Sequence, residues 1–129
     1  MHLIEIQTIF CASHQLRLPD GTLEPLHGHN WKVTVQIAAG ALDALETVVD
    51  FHEAERIVAG LVGPWSNGHL NDVEPFRTTV NPSAERIAEV IGRGVDGELQ
   101  KVAGHRARQV RVCECRVTEA PNCLAIWRA

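Results

Sequence analysis

The stretch from His27 to Ala38, HGHNWKVTVQIA, constrains the fold more than any other part of the chain. Trp31, Val33, Val35 and Ile37 recur at every second position, the period of a strand with one buried face, and a helix could not bring them together. The pattern predicts a strand over 29–38. His27 and His29 precede or open it, and if the backbone there is extended their side chains leave the same face. Three readings of the pair are open on spacing alone: ligands of one metal ion, a pH-sensitive pair, or ordinary strand residues.

The neighbouring segments supply partners for that strand. Residues 3–13, LIEIQTIFCAS, begin with the same alternation and predict a first strand, closed by the turn signal Pro19-Asp20-Gly21. Asp50 reads as a helix cap with Glu53 completing a capping box, ahead of an apolar stripe of Phe51, Ala54, Ile57, Val58 and Leu61 over about 51–62. Asn81-Pro82 reads as the cap and first-turn proline of a second helix over about 82–100, with Ala84, Ile87, Ala88, Ile91, Val95 and Leu99 on its apolar side. Gly92, Gly94 and Gly97 each weigh against its later turns by roughly 1 kcal/mol relative to alanine. Beyond it, Val110, Val112, Glu114, Arg116 and Thr118 alternate with Arg111, Cys113, Cys115, Val117 and Glu119 in a third strand, and LAIW after Pro121-Asn122 makes a short fourth. The order is ββααββ: an α+β domain with an antiparallel four-stranded sheet and two helices on one face, one domain over 1–129.

Composition excludes several classes of function. Charged residues make up 22% of the chain, apolar residues 45%, and the net charge is -4 with dispersed arginines. A nucleic-acid footprint would need a clustered basic face. No apolar run reaches the ~18–20 residues of a membrane span, and Glu5 stands in an amino-terminal segment with no basic start, so a cytoplasmic protein is expected. Cys11, Cys113, Cys115 and Cys123 lack paired CxxC spacing and are expected to be reduced.

His14 closes the first predicted strand as His27 and His29 open the second, and an antiparallel pair can bring those ends together. Three imidazoles on one zinc ion leave a fourth position for water or substrate, the catalytic rather than the structural pattern.

The segments Phe10-Cys-Ala-Ser-His14, His27-Gly-His-Asn30, Val49-Asp-Phe51, His69-Leu-Asn-Asp72, Asn81-Pro-Ser-Ala-Glu85 and Val117-Thr-Glu-Ala-Pro121 resemble, in order, the 6-pyruvoyltetrahydropterin synthase family, which includes bacterial 6-carboxytetrahydropterin synthases. The resemblance implies a tunnelling fold assembled into an intersubunit β-barrel, as a homo-oligomer of three or six chains. It also implies Zn2+ on His14, His27 and His29, and 7,8-dihydroneopterin triphosphate as substrate. Glu119 matches the residue that grips the pterin's guanidine-like edge, and a carboxylate accepting two parallel N–H bonds is suited to that. Ser83 matches a hydroxyl near the pterin. Arg17, Lys32 and Arg77 are the basic residues available to the triphosphate.

Two departures bear on the chemistry. Where most members carry a cysteine base, four residues before the HGH, this chain has Leu23, with Glu24 beside it. Glu24 resembles a variant branch associated with cleaving the side chain to 6-hydroxymethyl-7,8-dihydropterin, a folate precursor, and a carboxylate is already ionised at neutral pH. Where the family has an Asp-His pair, this chain has Ser66 and Asn67, and His69 two residues on is the candidate acid or proton shuttle. The expectation is a zinc-dependent lyase with Glu24 as base. The alternatives are 6-carboxy- or 6-pyruvoyl-pterin chemistry and a non-catalytic pterin- or zinc-binding homologue.

Overall fold

The computed structural model describes all residues, 1–129. Strands β1 (His2–His14) and β2 (His27–Ala39) pair antiparallel over their full length, with Ile4 opposite Ile37, Ile6 opposite Val35, Phe10 opposite Trp31 and His14 opposite His27. Both histidines of the HGH lie inside β2 rather than ahead of it. Helix α1 (Phe51–Val62) follows, then a two-residue strand β3 (Gly68–His69), helix α2 (Ala84–Val102), and the hairpin of β4 (Val110–Ala120) and β5 (Cys123–Arg128). The sheet order is β3-β1-β2-β4-β5. The expected four-stranded antiparallel sheet is present, with β3 added parallel to β1; two residues are too few for any period to announce them. No helix is long and apolar enough to cross a membrane.

The core lies between the sheet and the two helices. Ile6, Phe10, Trp31, Val33, Val35 and Ile37 of the sheet pack with Ala54, Ile57 and Val58 of α1 and Ile87, Ile91, Val95 and Leu99 of α2. Phe51, placed on α1's apolar stripe by spacing, is 53% exposed. The caps also differ from the expected ones. Asp50 accepts from the His52 N–H, but Glu53 pairs with Arg56 instead of closing a capping box. Helix α2 is capped by Ser83, which accepts from the Arg86 N–H, not by Asn81.

The glycines of α2 do not break it, and one of them has a packing reason. A Cβ at Gly92 would lie 2.3 Å from the Trp127 ring and 3.2 Å from the Cys115 Cβ. The indole of β5 therefore rests directly on the helix backbone, with the Arg93 guanidinium over its ring.

A β-bulge between Gln36 and Ile37 of β2 leaves Cys113 as the extra residue of β4. A bulge shifts the two-residue alternation by one. Val110 and Val112 face the core before it, Cys115 and Val117 after it. Unbroken alternation would group Glu114, Arg116 and Thr118 with Val110 and Val112. Glu114 instead turns to the sheet's outer face, where it is held by Arg116 and by Arg128 at 2.6 Å.

Two predictions follow from this packing. Gly92→Ala gains about 1 kcal/mol of helix propensity but overpacks the indole, for a net destabilisation of about 1–3 kcal/mol in denaturant titration. The Arg128 hydrogen bond, then that of Arg116, holds the Glu114 carboxyl below the usual range despite its burial. A depressed folded-state pKa contributes stability above the unfolded value of about 4.3 that is lost as pH falls through the folded one. Glu114→Gln should therefore be less stable than the parent at pH 7, with the gap closing under acid, as measured by unfolding between pH 7 and 3.

Candidate metal centre

The β1–β2 register brings the three histidines together. His14 stands opposite His27, and His29 lies two residues along the same face of β2. The ring centroids are 4.5 Å apart for His14 and His27, 5.2 Å for His14 and His29, and 4.9 Å for His27 and His29. Trp31 forms the floor, its indole edge-on to His14 and His29 and its N–H donating to the Ala12 carbonyl at 3.1 Å.

Glu119 completes the cluster. One ligand atom from each of His14, His27, His29 and Glu119 lies within 4.8 Å of all the others. Glu119 Oε1 is 3.1 Å from His14 Nε2 and 3.4 Å from His29 Nε2. It reaches them because of two irregularities in β4. The bulge at Cys113 turns the odd-numbered residues beyond it inward, and a second bulge between Thr118 and Ala120 leaves Glu119 out of the ladder with β5.

The protonation pattern tests whether these residues fit a cation. The Pro82 carbonyl accepts from His14 Nδ1 at 2.7 Å, and the Pro25 carbonyl accepts from His27 Nδ1 at 2.8 Å. Each ring then carries its proton on Nδ1 and, when neutral, presents a bare lone pair at Nε2. Burial pushes His29 below the ordinary imidazole range; the Glu119 carboxylate opposes this, and His14 and His27 add to the lowering. His14 Nε2 and His29 Nε2 are buried and make no hydrogen bond, although Glu119 Oε1 is close to both. Lone pairs turned toward a carboxylate oxygen repel unless a cation lies among them. The donor set fits a divalent metal of zinc type, and backbone carbonyls on the far ring nitrogens are the usual second layer of such a site.

Glu24 also reaches the cluster. Its carboxylate accepts from the Leu16 N–H at 2.9 Å and lies 3.7 Å from His27 Nε2. Leu23, next to Glu24, is half-exposed and bridges to Arg17. Ser83 caps α2 and lines a cleft of about 480 Å³ with His14, Glu85, Glu119, Asn122 and Cys123. His69 lies elsewhere: its Nδ1 is 2.9 Å from Ser13 Oγ, and Ser13 leaves the opposite face of β1 from His14. Ser66 and Asn67 form the turn into β3, with Asn67 at φ 60° and its N–H donating to Cys11 O at 2.6 Å.

Sequence reasoning missed the groups that pin the strand end carrying His14. Asn71 pairs with both backbone groups of Gln15, at 2.9 and 2.8 Å, and Asn81 with both of Arg17, at 2.8 and 3.1 Å. The two side-chain amides thus imitate a neighbouring strand. The Arg17 guanidinium is spent on the carbonyls of Phe76, Arg77 and Val80, so it is not free for a triphosphate. Cys123, remote from the histidines in sequence, lies along the cleft. An asparagine next to helix or turn signals gives no indication that it will bond a backbone 56 or 64 residues away.

Comparison with known proteins gives a consistent picture. The family model described as 6-pyruvoyl tetrahydropterin synthase matches residues 3–129. A curated protein of Archaeoglobus fulgidus, provisionally named a 6-carboxy-5,6,7,8-tetrahydropterin synthase, is 30% identical over 101 residues, covering 78% of this chain and 86% of the relative. Among solved structures, the Plasmodium falciparum 6-pyruvoyl tetrahydropterin synthase superposes with a TM-score of 0.77 at 17% identity, covering 99% of this chain and 97% of that one. The Plasmodium vivax enzyme, solved as variants in which a catalytic glutamate is replaced by alanine or by cysteine, gives a TM-score of 0.73 at 19% identity, covering 100% of this chain and 99% of that one.

Purified protein should carry zinc in equimolar amount, measured by elemental analysis after dialysis. His29→Ala should lose it while retaining the far-ultraviolet circular dichroism of the parent, since His29 is a donor and not part of the hydrophobic core.

Proposed function

The chain belongs to the 6-pyruvoyl tetrahydropterin synthase family, and on that premise we propose that it is a zinc-dependent lyase that cleaves the side chain of 7,8-dihydroneopterin triphosphate to give 6-hydroxymethyl-7,8-dihydropterin. The observation that carries this reading is the Glu24 carboxylate, held by the Leu16 N–H and 3.7 Å from a ring nitrogen of the cluster, in a chain with no cysteine at the neighbouring position.

His14, His27 and His29 would hold the zinc. When bound, the ion supplies positive charge that orients the side-chain hydroxyls and lowers their pKa. Glu24 is the base. It takes the proton from the hydroxyl of the second side-chain carbon, and the O–H electron pair becomes the new carbonyl bond. The bond between the first and second carbons breaks. Its electron pair passes into the ring imine, and a proton returned to the first carbon leaves a hydroxymethyl group. The triphosphate-bearing two-carbon fragment departs as an aldehyde. Glu119 grips the guanidine-like edge of the pterin, and Ser83 lies at the mouth of the same cleft.

His69 cannot serve its own chain's cluster from the opposite face of β1; as an acid or shuttle it would act on the cluster of a neighbouring copy. That requires a homo-oligomer, and the outer face of the sheet supports one. Leu3 and Ile9 of β1 and Leu124 and Ile126 of β5 are exposed there. Closing the sheet edges between subunits would cover both the edges and these side chains.

Two other readings have specific support. The name of the Archaeoglobus relative favours 6-carboxy-pterin formation. Serine and asparagine at the dyad positions favour a homologue that binds pterin and zinc without turnover. Incubating the zinc-loaded protein with 7,8-dihydroneopterin triphosphate and identifying the product by mass spectrometry separates all three. 6-Hydroxymethyl-dihydropterin is expected, and Glu24→Gln should reduce its formation by about 10²–10⁴-fold while binding persists. A carboxy- or pyruvoyl-pterin would refute the cleavage, and binding without product would refute catalysis.

A further inference from the structure

Glu119 has been given the pterin edge to bind, yet its carboxylate lies against the histidine nitrogens. Four donors about 2.0–2.1 Å from a tetrahedral zinc ion stand about 3.3 Å from one another. Glu119 Oε1 is 3.1 Å from His14 Nε2 and 3.4 Å from His29 Nε2, the edge lengths of such a tetrahedron, and neither contact is a hydrogen bond. His14 is 1% exposed and its Nε2 has no other partner. The carboxylate also has freedom to leave. It is 30% exposed, it sits on the bulged residue at the end of β4, and it forms the wall between the cleft along Cys123 and a second cleft along Gly28 and Pro121.

We propose that Glu119 is the fourth ligand of the metal in the substrate-free protein, and that the pterin enters by drawing this carboxylate off the ion and onto its own N–H edge. The proposal rests on the histidine site and the pterin anchor described above. One carboxylate cannot do both at once. The metal's fourth position therefore opens only when a pterin is seated, and water is kept from the ion until then. Sites with three protein ligands usually leave that position to solvent; here the anchor residue closes it.

The consequence is a measurable coupling. Pterin itself, which has the guanidine-like edge but no side-chain hydroxyls, takes Glu119 from the ion and offers nothing in return. Saturating pterin should therefore weaken zinc binding, and zinc should weaken pterin binding by the same factor, as linkage requires. The experiment is zinc affinity by chelator competition, with and without pterin, in the parent chain, Glu119→Gln and Glu119→Ala, alongside the visible spectrum of the Co2+-substituted proteins. Both variants are expected to bind zinc at least about tenfold more weakly, no less than the loss of an outer-layer partner costs a metal site. Both should show an altered Co2+ spectrum, and neither should respond to pterin. Variants with parental zinc affinity and Co2+ spectrum would overturn the proposal, as would a parent whose zinc affinity is indifferent to saturating pterin. Failure of the underlying site reads differently: His29→Ala would then keep its zinc.

Discussion

Everything at this site depends on the register between β1 and β2. Opposition of Phe10 to Trp31 and of His14 to His27 is a single setting of two thirteen-residue strands. A slip of one residue would send the imidazoles to the outer face together with the whole apolar set, so the burial of Trp31, Val33, Val35 and Ile37 holds the three histidines in place. The hydrophobic core and the polar cluster are one register expressed at two ends of the same pair. Asn71 and Asn81 extend the arrangement past the last ladder bond, gripping Gln15 and Arg17 so that the end of β1 does not fray under His14.

That rigidity has an electrostatic purpose. Neutral imidazole could point either nitrogen at the cluster, and the carbonyls of Pro25 and Pro82 make the choice for His27 and His14 by accepting from Nδ1. Proline suits these positions because it brings a carbonyl without an N–H that would compete. Trp31 removes water from beneath the rings, and burial disfavours the charged form of His29. The result is a set of ring nitrogens and one carboxylate facing one another at 3.1–3.4 Å, an arrangement that a bound cation would satisfy.

Parts of this were legible in the sequence because they follow from periodicity. The alternation in β2, the HGH spacing and the strand end at His14 suffice to bring three histidines to one place. The rest escaped because it depends on interruptions of period. Glu119 shares a face with the histidines only through the bulge at Cys113, and a bulge leaves no mark in a run of alternating residues. Asn81 beside a proline reads as a helix cap, whereas Ser83 does the capping and Asn81 bonds Arg17. Parallel pairing over Gly68 and His69 is too short to have a pattern, yet it fixes His69 on Ser13 and away from the cluster. Periodicity found the histidines; the groups that orient them are single residues whose bonds no period announces.

The changes around the site are coherent under the proposed chemistry. A thiol base is mostly protonated at neutral pH, with an unperturbed pKa near 8.5, and gains from a neighbouring group that keeps it ionised or relays its proton. A carboxylate base needs no such help, because it is ionised already. Once Glu24 takes the proton, the Asp-His positions lose their chemical constraint and become available for backbone work. Ser66 and Asn67 do that work: Asn67 accepts the left-handed conformation at low cost and bonds the Cys11 carbonyl, turning the chain into β3. Under that chemistry the missing thiol and the missing dyad are one substitution of mechanism, and the feature that sets it apart from simple loss of the acid–base groups is Glu24, bonded by the Leu16 N–H and 3.7 Å from His27 Nε2.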